Sequence, residues 1–448
     1  MLDALQPVHK LPFETTSEIF IQCLPTSYTV REWNTANPRA PMLLLHVCRI
    51  WREIAIGTPA LWAKMELSMD NAHSHDIAQR WLKWAKASPL AVKLHQWPSE
   101  ESQEEDTWSI AIFETLLGRS RNFEFLEVLD IPLDYVRELD QLTDSSNFPS
   151  LQKLTIGVEE DGLDRESMHE KPCIQLFANA PLLREVEFIG DTSPKFFGAL
   201  PWPQLTKYTG TYVHIDDFLN ALRISSNLIE CTLATGRFDR YFMEILLHPS
   251  LRSLTLCRDN CFHHPRSPGI FGFLTLPALE TLRILRCPDD LFNDQRFPTF
   301  LTRSSPPLRQ FTVHLDHNIL DDDDTQLNVD AFLSMPSLIE LEIWNPQEMS
   351  IFFAHFTAVA FLPQLQHFSA FHPCHSSLDV AHTQLRTVQA GVSARWNSRN
   401  HAVAQLKSFS VVWDRDIGDL PEDILVAFRT MASEGLNIRL KSPTQSYI

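Results

Sequence analysis

Glycine is scarce in this chain. Only 13 of its 448 residues are glycine, about half the usual share of roughly 7%. Loops that wrap phosphate groups and sheets built from tight hairpins both need glycine where other residues are strained. The composition therefore disfavours a nucleotide-binding loop and a hairpin-rich β fold. Proline, with 29 residues, is not scarce.

Basic residues are few relative to acidic ones: 38 against 56, a formal net charge of −18. A surface of that sign repels phosphate backbones and anionic lipids, so neither nucleic acid nor a membrane is expected as the main partner. No run reaches the ~18 apolar residues of a membrane span, and the first ten residues lack a signal peptide's apolar stretch. The eight cysteines are scattered through apolar runs, which is typical of a reducing compartment. We expect a soluble cytoplasmic or nuclear protein.

Catalytic motifs are lacking as well. The chain contains no glycine-rich nucleotide loop, no His-Glu-x-x-His zinc motif and no Gly-x-Ser-x-Gly nucleophile elbow. The nearest approach to a metal site is the group Cys257, Cys261, His263, His264 and Cys287. Its spacing matches no standard zinc pattern. The sequence therefore predicts no enzyme activity, no metal and no cofactor.

Residues 11–62 have a helical, apolar pattern that differs from the rest of the chain. A first helix is predicted from Leu11 to the residue before Pro25, with Pro12 in its first turn, where a missing N–H costs nothing. A second helix is predicted between Pro41 and Gly57. Two apolar stripes at helical spacing consist of Ile19, Phe20, Cys23, Leu24, Leu43, Leu44, Val47, Cys48, Trp51, Ile54 and Ala55.

This segment resembles the F-box motif, in the variant form found in F-box-like families of mushroom-type fungi. The resemblance covers about the first sixty residues and rests on LPFETTSEIFIQCL and LLLHVCRIWREIAIGTPALW. Thr15-Thr16, in place of an aliphatic pair, and a long loop between the helices depart from the family pattern. The matching positions are Leu11, Pro12, Glu14, Ile19, Phe20, Val47, Cys48, Trp51, Arg52, Ala55, Pro59, Leu61 and Trp62.

The resemblance implies that residues 11–62 bind a Skp-type adaptor protein and, through it, a cullin-based ubiquitin ligase. An alternative reading of the same residues is that the two stripes pack on each other and merely cap the rest of the chain. The residues expected to contact the adaptor are Leu11, Pro12, Ile19, Phe20, Val47, Cys48 and Trp51.

One short template recurs between residues 126 and 411. It reads Leu-x-polar-apolar-polar-apolar, often with proline two residues before the leucine, as in Pro249–Leu256 and Pro336–Ile343. Neighbouring copies lie 20 to 32 residues apart, which brackets the lengths of leucine-rich repeats. The first leucine of each copy is placed at residues 126, 151, 183, 205, 228, 251, 279, 308, 338, 365, 385 and 406.

The alternation inside the template predicts short parallel strands with one buried face. Helix-like segments between copies, such as 218–222, 241–247 and 331–333, predict an outer layer. The sequence thus predicts an α/β leucine-rich-repeat solenoid, with parallel strands on its concave face and helices outside, preceded by a small all-α F-box-like module. The predicted domains are 1–66 for the module, 67–120 for a linker and N-terminal cap, and 121–448 for the solenoid with its C-terminal cap.

Side chains at the position directly after the last apolar residue of the template are expected on the concave face. They include Leu285, His314, Trp344 and Phe371. Large aromatic residues facing solvent tend to anchor protein interfaces, so these four are candidate substrate-binding residues. An alternative is that a loop covers them.

Three hypotheses of function follow. The leading one is a substrate-recognition subunit of a ubiquitin ligase, which docks a Skp-type adaptor and binds an unknown protein substrate on the repeats. The alternative is an interaction scaffold with no link to a ligase. A metal-dependent enzyme that uses the histidine-rich loops is a distant third.

Overall fold

The structure is a computed structural model. It describes residues 11–25, 39–69, 73–96, 107–142, 147–159, 173–190, 192–211, 215–234, 244–257, 270–288, 295–316, 329–346, 349–372, 378–398 and 400–448. The chain falls into two compact units, residues 1–213 and 214–448.

The N-terminal unit combines a parallel sheet with helices. Its strands are β1 (Lys64–Ser68), β2 (Leu90–His95), β3 (Phe123–Pro132), β4 (Lys153–Glu159), β5 (Glu185–Ile189) and β6 (Lys207–Thr211). Each strand pairs in parallel with the next one along the chain. Its helices are α1 (Phe13–Gln22), α2 (Leu44–Val47), α3 (Arg49–Gly57), α4 (Ser74–Ala85), α5 (Thr107–Leu117) and α6 (Leu133–Leu142).

The C-terminal unit repeats this arrangement. Its main sheet consists of β7 (Glu230–Ala234), β9 (Ser253–Cys257), β11 (Thr281–Pro288), β12 (Gln310–Asp316), β13 (Glu340–Trp344), β14 (His367–Phe371), β15 (Ser408–Val412) and β16 (Asn437–Lys441). These strands pair in parallel in that order, while β8 (Leu246–Leu247) and β10 (Leu274–Thr275) form a separate pair. The helices are α7 (Ile215–Ile224), α8 (Arg296–Ser304), α9 (Val329–Leu333), α10 (Met349–Ala354), α11 (Leu378–Trp396) and α12 (Glu422–Ser433).

The predicted mixed α/β class with parallel strands is confirmed. In ten of the twelve template copies, the residue three after the leucine is buried and pairs with a residue of a neighbouring parallel strand in the same unit. Leu282 thus pairs with Phe311, Phe311 with Leu341, and Leu341 with Phe368. Alternate residues point to opposite sides of a strand, so the apolar positions of the template all face the helices.

The turns before the strands share one hydrogen-bond pattern. The backbone carbonyl of Arg252 accepts the N–H groups of Glu280 and Thr281, at 2.8 and 2.9 Å. The carbonyl of Glu280 in turn accepts those of Arg309 and Gln310, at 2.8 and 3.0 Å. Because this bond recurs, successive strands begin at the same level and equivalent side chains form rows across the sheet.

Two copies of the template were wrong. At the first copy, Leu126 rather than Leu129 pairs with Leu154, so the predicted register is off by three residues. Phe123, which is 1% exposed, takes the leucine position there. The copy at Leu385 lies inside α11, because Leu385, Val388 and Val392 are buried at the spacing of one helical face.

Two predicted helices also needed correction. The helix expected between Pro41 and Gly57 is broken at Cys48, whose backbone is extended. The Cys48 sulfur instead accepts the N–H of Trp51 at 3.4 Å and so caps the start of α3. In the segment 241–247, Leu246 and Leu247 form strand β8, whereas residues 241–243 lie outside the described residues.

The last residues cover the outer edge of β16. The N–H of Tyr447 donates to the carbonyl of Leu440 at 2.9 Å, and Lys441 bridges to Ser446 in antiparallel fashion. The Tyr447 hydroxyl donates to the carbonyl of Gly418 at 2.6 Å. An exposed strand edge invites pairing with other chains, and this segment occupies part of it. None of the described helices is both long and apolar enough to span a membrane.

Candidate functional site

The helices of residues 11–62, here called the N-terminal module, pack on each other through a small core. Phe20 is 1% exposed and its ring centroid lies 4.9 Å from that of Trp51. The hydroxyls of Thr58 and Ser17 are hydrogen-bonded to each other at 2.9 Å, and both residues are buried. Thr16, at one of the two positions that depart from the F-box pattern, is also buried. Thr16 therefore belongs to the interior of the module and not to its exposed surface.

The module is joined to the start of the N-terminal sheet through Trp62. This residue is 0% exposed, and its indole nitrogen donates to the carbonyl of Ala55 at 2.8 Å. Its ring lies 5.2 Å from Trp81 and 4.4 Å from Trp84, which are on α4. One side of the module thus covers apolar rings that water would otherwise reach.

The remaining surface of the module exposes large apolar side chains. Fourteen such side chains are exposed among the described residues, and six belong to this module. They are 39% to 50% exposed and will be called the apolar set: Leu11, Phe13, Ile19, Leu43, Val47 and Ile50. Several exposed large apolar side chains in so short a segment are typical of a protein-interaction surface.

The seven residues expected to contact an adaptor are not equivalent in the structure. Leu11, Pro12, Ile19 and Val47 are exposed, and Cys48 and Trp51 are half-buried. Phe20 is buried against Trp51, so it packs α1 against α3 and does not belong to the exposed surface of the module. Phe13, Leu43 and Ile50 are exposed apolar residues that were not expected to contact the adaptor. The packing of α1, α2 and α3 determines that these three side chains are exposed.

The four residues expected on the solvent-facing side of the C-terminal sheet occupy it together. Leu285, His314, Trp344 and Phe371 are all half-buried, on strands β11 to β14. His314, Trp344 and Phe371 form an aromatic row. The Trp344 centroid lies 4.8 Å from that of His314 and 4.4 Å from that of Phe371, and the Trp344 and Phe371 rings are only 19° from parallel.

The aromatic row is held by the turns that follow its strands. Asn345 and His372 have positive φ values of 54° and 53°. The N–H of Asn345 donates to the carbonyl of Phe371 at 2.8 Å, and its side-chain amide donates to the carbonyl of Leu315 at 3.2 Å. The His372 ring lies 5.4 Å from Trp344, nearly parallel to it. These contacts fix the rings at the ends of the strands.

Two carboxylates stand on β13 beside the aromatic row. Glu342 accepts the indole N–H of Trp344 at 2.5 Å, and Glu340 accepts the side-chain amide of Gln310 at 3.0 Å. Among the described residues, no lysine, arginine or histidine forms an ion pair with either glutamate. The sequence analysis missed these two residues because they occupy ordinary polar positions of the template.

The matching side of the N-terminal sheet differs in charge. There Lys93 pairs with Glu127 at 3.0 Å and Lys153 with Glu187 at 3.7 Å. The ammonium groups of both lysines also lie over the ring of Phe125, at 5.9 and 5.7 Å. Carboxylates and an aromatic ring are therefore matched there by lysines of the same chain.

No group of three or more histidine, cysteine or acidic residues that could bind a metal occurs in the part of the chain that the structure describes. Cys257 is half-buried at the end of β9. Cys261, His263 and His264 lie outside the described residues.

No family model matches the chain, and no curated protein is significantly similar to it. The functional interpretation therefore depends on the module and the aromatic row themselves.

Proposed function

We propose that this chain is the substrate-recognition subunit of a cullin-based ubiquitin ligase. In this proposal the N-terminal module is F-box-like and binds a Skp-type adaptor protein. The template-bearing strands belong to a leucine-rich-repeat solenoid, whose solvent-facing side binds a protein substrate. Transfer chemistry belongs to other subunits, and this chain supplies proximity and selection.

The apolar set is the observation that supports the proposal most. Six large apolar side chains, each 39% to 50% exposed, lie in a short module. Burying the exposed part of one such side chain in an interface stabilises the complex by roughly 1 kcal/mol. A few well-packed apolar anchors are enough to dominate the affinity of a protein complex. Four of the seven residues expected to contact the adaptor belong to this exposed surface or lie next to it, namely Leu11, Pro12, Ile19 and Val47.

A scaffold without a ligase link is the second candidate, and the burial of Trp62 favours it. Trp62 covers Trp81 and Trp84 at the start of the N-terminal sheet, which is what a cap requires. A cap, however, needs only the inner side of the module. The exposed apolar set is explained by a partner and not by capping.

A binding assay separates the two candidates. Ile19→Glu and Val47→Glu each place a charge in the apolar set, and each should weaken capture of the full-length chain by an immobilised Skp-type adaptor by at least tenfold. Leu11→Ala combined with Pro12→Ala should weaken it as well. Val426→Glu is the matched control, because Val426 is 52% exposed on α12 and far along the chain from the module.

Equal capture of the wild type and all these variants, or no capture of a folded wild type, contradicts the ligase proposal. Circular dichroism of each variant checks that the chain is folded.

A further inference from the structure

The aromatic row and its two carboxylates form a site in which no lysine or arginine of the described residues pairs with either carboxylate. β13 lies between β12 and β14 in the sheet, so the Trp344 ring stands between His314 and Phe371. The rings of His314 and Phe371 cover the two faces of the Trp344 ring. What remains for a ligand is the apolar rim of the row, which suits an aliphatic side chain or stem better than a cation placed over a ring.

The acidic part of the site lies directly beside that rim. Glu340, Glu342 and Trp344 occupy alternate positions on one side of β13, so the Cα atoms of successive members are about 7 Å apart. The solvent-facing residues of the neighbouring strands include no lysine or arginine: Gln310, Thr312 and His314 on β12, and His367, Ser369 and Phe371 on β14. One carboxylate oxygen of Glu342 accepts the N–H of the Trp344 indole. The second oxygen can accept a hydrogen bond from a ligand.

The N-terminal sheet indicates which groups pair with glutamates that lie beside an aromatic ring. There, glutamates beside an aromatic ring are matched by Lys93 and Lys153 of the same chain. On β12 to β14 the glutamates and the aromatic residues are present, but no described cation is paired with them. Because the whole chain has a net charge of −18, association with a basic segment is also favoured at long range.

We propose that this site binds an extended segment of a partner protein that carries an arginine or lysine beside an apolar residue. The basic head group binds Glu340 and Glu342, and its aliphatic stem and the apolar neighbour pack along the rim of the aromatic row. The inference rests on the proposed function, since it names the class of substrate that the receptor selects. A charge-assisted hydrogen bond from an arginine to a carboxylate provides the selectivity.

Selection from a random peptide library displayed on phage, with the immobilised full-length chain as bait, tests the inference. Peptides that combine arginine or lysine with a neighbouring apolar residue should be enriched at least threefold over the input. The double variant Glu340→Gln with Glu342→Gln should lose this enrichment, and binding of an enriched peptide should weaken about tenfold. Glutamine keeps the shape of the side chain and the acceptor for the Trp344 indole.

The control variant is Glu230→Gln, which removes an exposed glutamate at the position of β7 that corresponds to Glu340 on β13. It should keep the enrichment, which excludes a general effect of net charge. Trp344→Ala should reduce the preference for the apolar neighbour. Enrichment of acidic or purely apolar peptides, no enrichment at all, or an enrichment that survives the double variant overturns the inference.

Adaptor capture by the same variants distinguishes this inference from the ligase proposal. The double variant should still bind the Skp-type adaptor as the wild type does. If peptide selection follows the prediction while no chain binds the adaptor, the basic-segment site stands and the ligase role fails.

Discussion

Two arginine side chains donate to backbone carbonyls in the segments that precede β11 and β14. Arg395 on α11 is 2% exposed and donates to the carbonyls of Phe361 and Leu362, at 3.2 and 2.5 Å. Arg303 on α8 donates to those of Phe271 and Leu274, at 2.7 and 2.5 Å. Desolvation by burial lowers the pKa of Arg395 to about 10, so its guanidinium is still charged at neutral pH.

Replacing Arg395 by methionine should lower the free energy of unfolding by about 3 kcal/mol, because two buried carbonyls lose their donor. Arg386→Met is the matched control. Arg386 lies on the same helix and forms an ion pair with Asp423, but its side chain is 59% exposed. Urea unfolding should show a change below about 1 kcal/mol for the control. A similar loss in both variants contradicts the assigned role of Arg395.

Tyr447 gives the stability of the C-terminal edge a pH dependence. Its pKa is raised, mainly by desolvation on burial and further by the charges of Asp416 and Asp419, although a hydrogen bond with Ser442 opposes this. Above the ordinary tyrosine pKa of about 10, the unfolded chain loses this proton more readily than the folded one, so stability falls as pH rises.

Tyr447→Phe should therefore be less stable than the wild type at pH 7, because the hydrogen bond to Gly418 is lost. As the pH rises from 9 towards 11, the difference between the two should shrink, since only the wild type titrates at this position. Urea unfolding at several pH values measures it. A difference that stays constant over this range contradicts the assignment.

At the scale of elements, α10 and α11 approach closely at Gly391. A Cβ atom at this position would lie 2.5 Å from the backbone carbonyl oxygen of Phe353 and 3.1 Å from its Cβ. Glycine in the middle of a 19-residue helix is unfavourable by itself, by roughly 1 kcal/mol relative to alanine. The packing between the helices explains why it stands there.

For Gly391→Ala, helix propensity and packing therefore predict changes of opposite sign in the free energy of unfolding. Helix propensity alone predicts a gain of about 1 kcal/mol, whereas the overlap with Phe353 predicts a net loss of about 2 kcal/mol. We expect the loss, measured by thermal or urea unfolding. Ala390→Gly, at an exposed neighbouring position, should lower the free energy of unfolding only by the difference in helix propensity, about 1 kcal/mol. A stabilised Gly391→Ala variant contradicts the close approach of α10 and α11.

At the scale of the whole molecule, the module and the first strands depend on each other. Removing residues 1–63 uncovers Trp81 and Trp84 on α4, which Trp62 now contacts. The shortened chain should melt at a lower temperature and aggregate more readily, as measured by calorimetry and size-exclusion chromatography. A chain without residues 1–10 keeps the module and is the control. Unchanged melting of the shortened chain contradicts the capping role of Trp62.

Alternation within each strand is a local property, and for this reason the sequence by itself determined ten strands, their parallel class and their solvent-facing rows. The same local reasoning was wrong at Leu385, because Leu385, Val388 and Val392 also fit one face of a helix. Strand and helix patterns overlap in so short a run, and only the packing of α11 against α10 decided between them.

Tertiary structure alone decided which members of a pattern face outward and which residues meet. Ile19 and Phe20 are neighbours in one predicted stripe, yet Phe20 packs on Trp51 and Ile19 is 45% exposed. Glu342 stands beside Trp344 with no described lysine or arginine paired to it, because sheet order places strands without lysine or arginine on both sides of β13. Contacts between residues far apart in sequence fix these outcomes, and the pattern of a single segment contains no record of them.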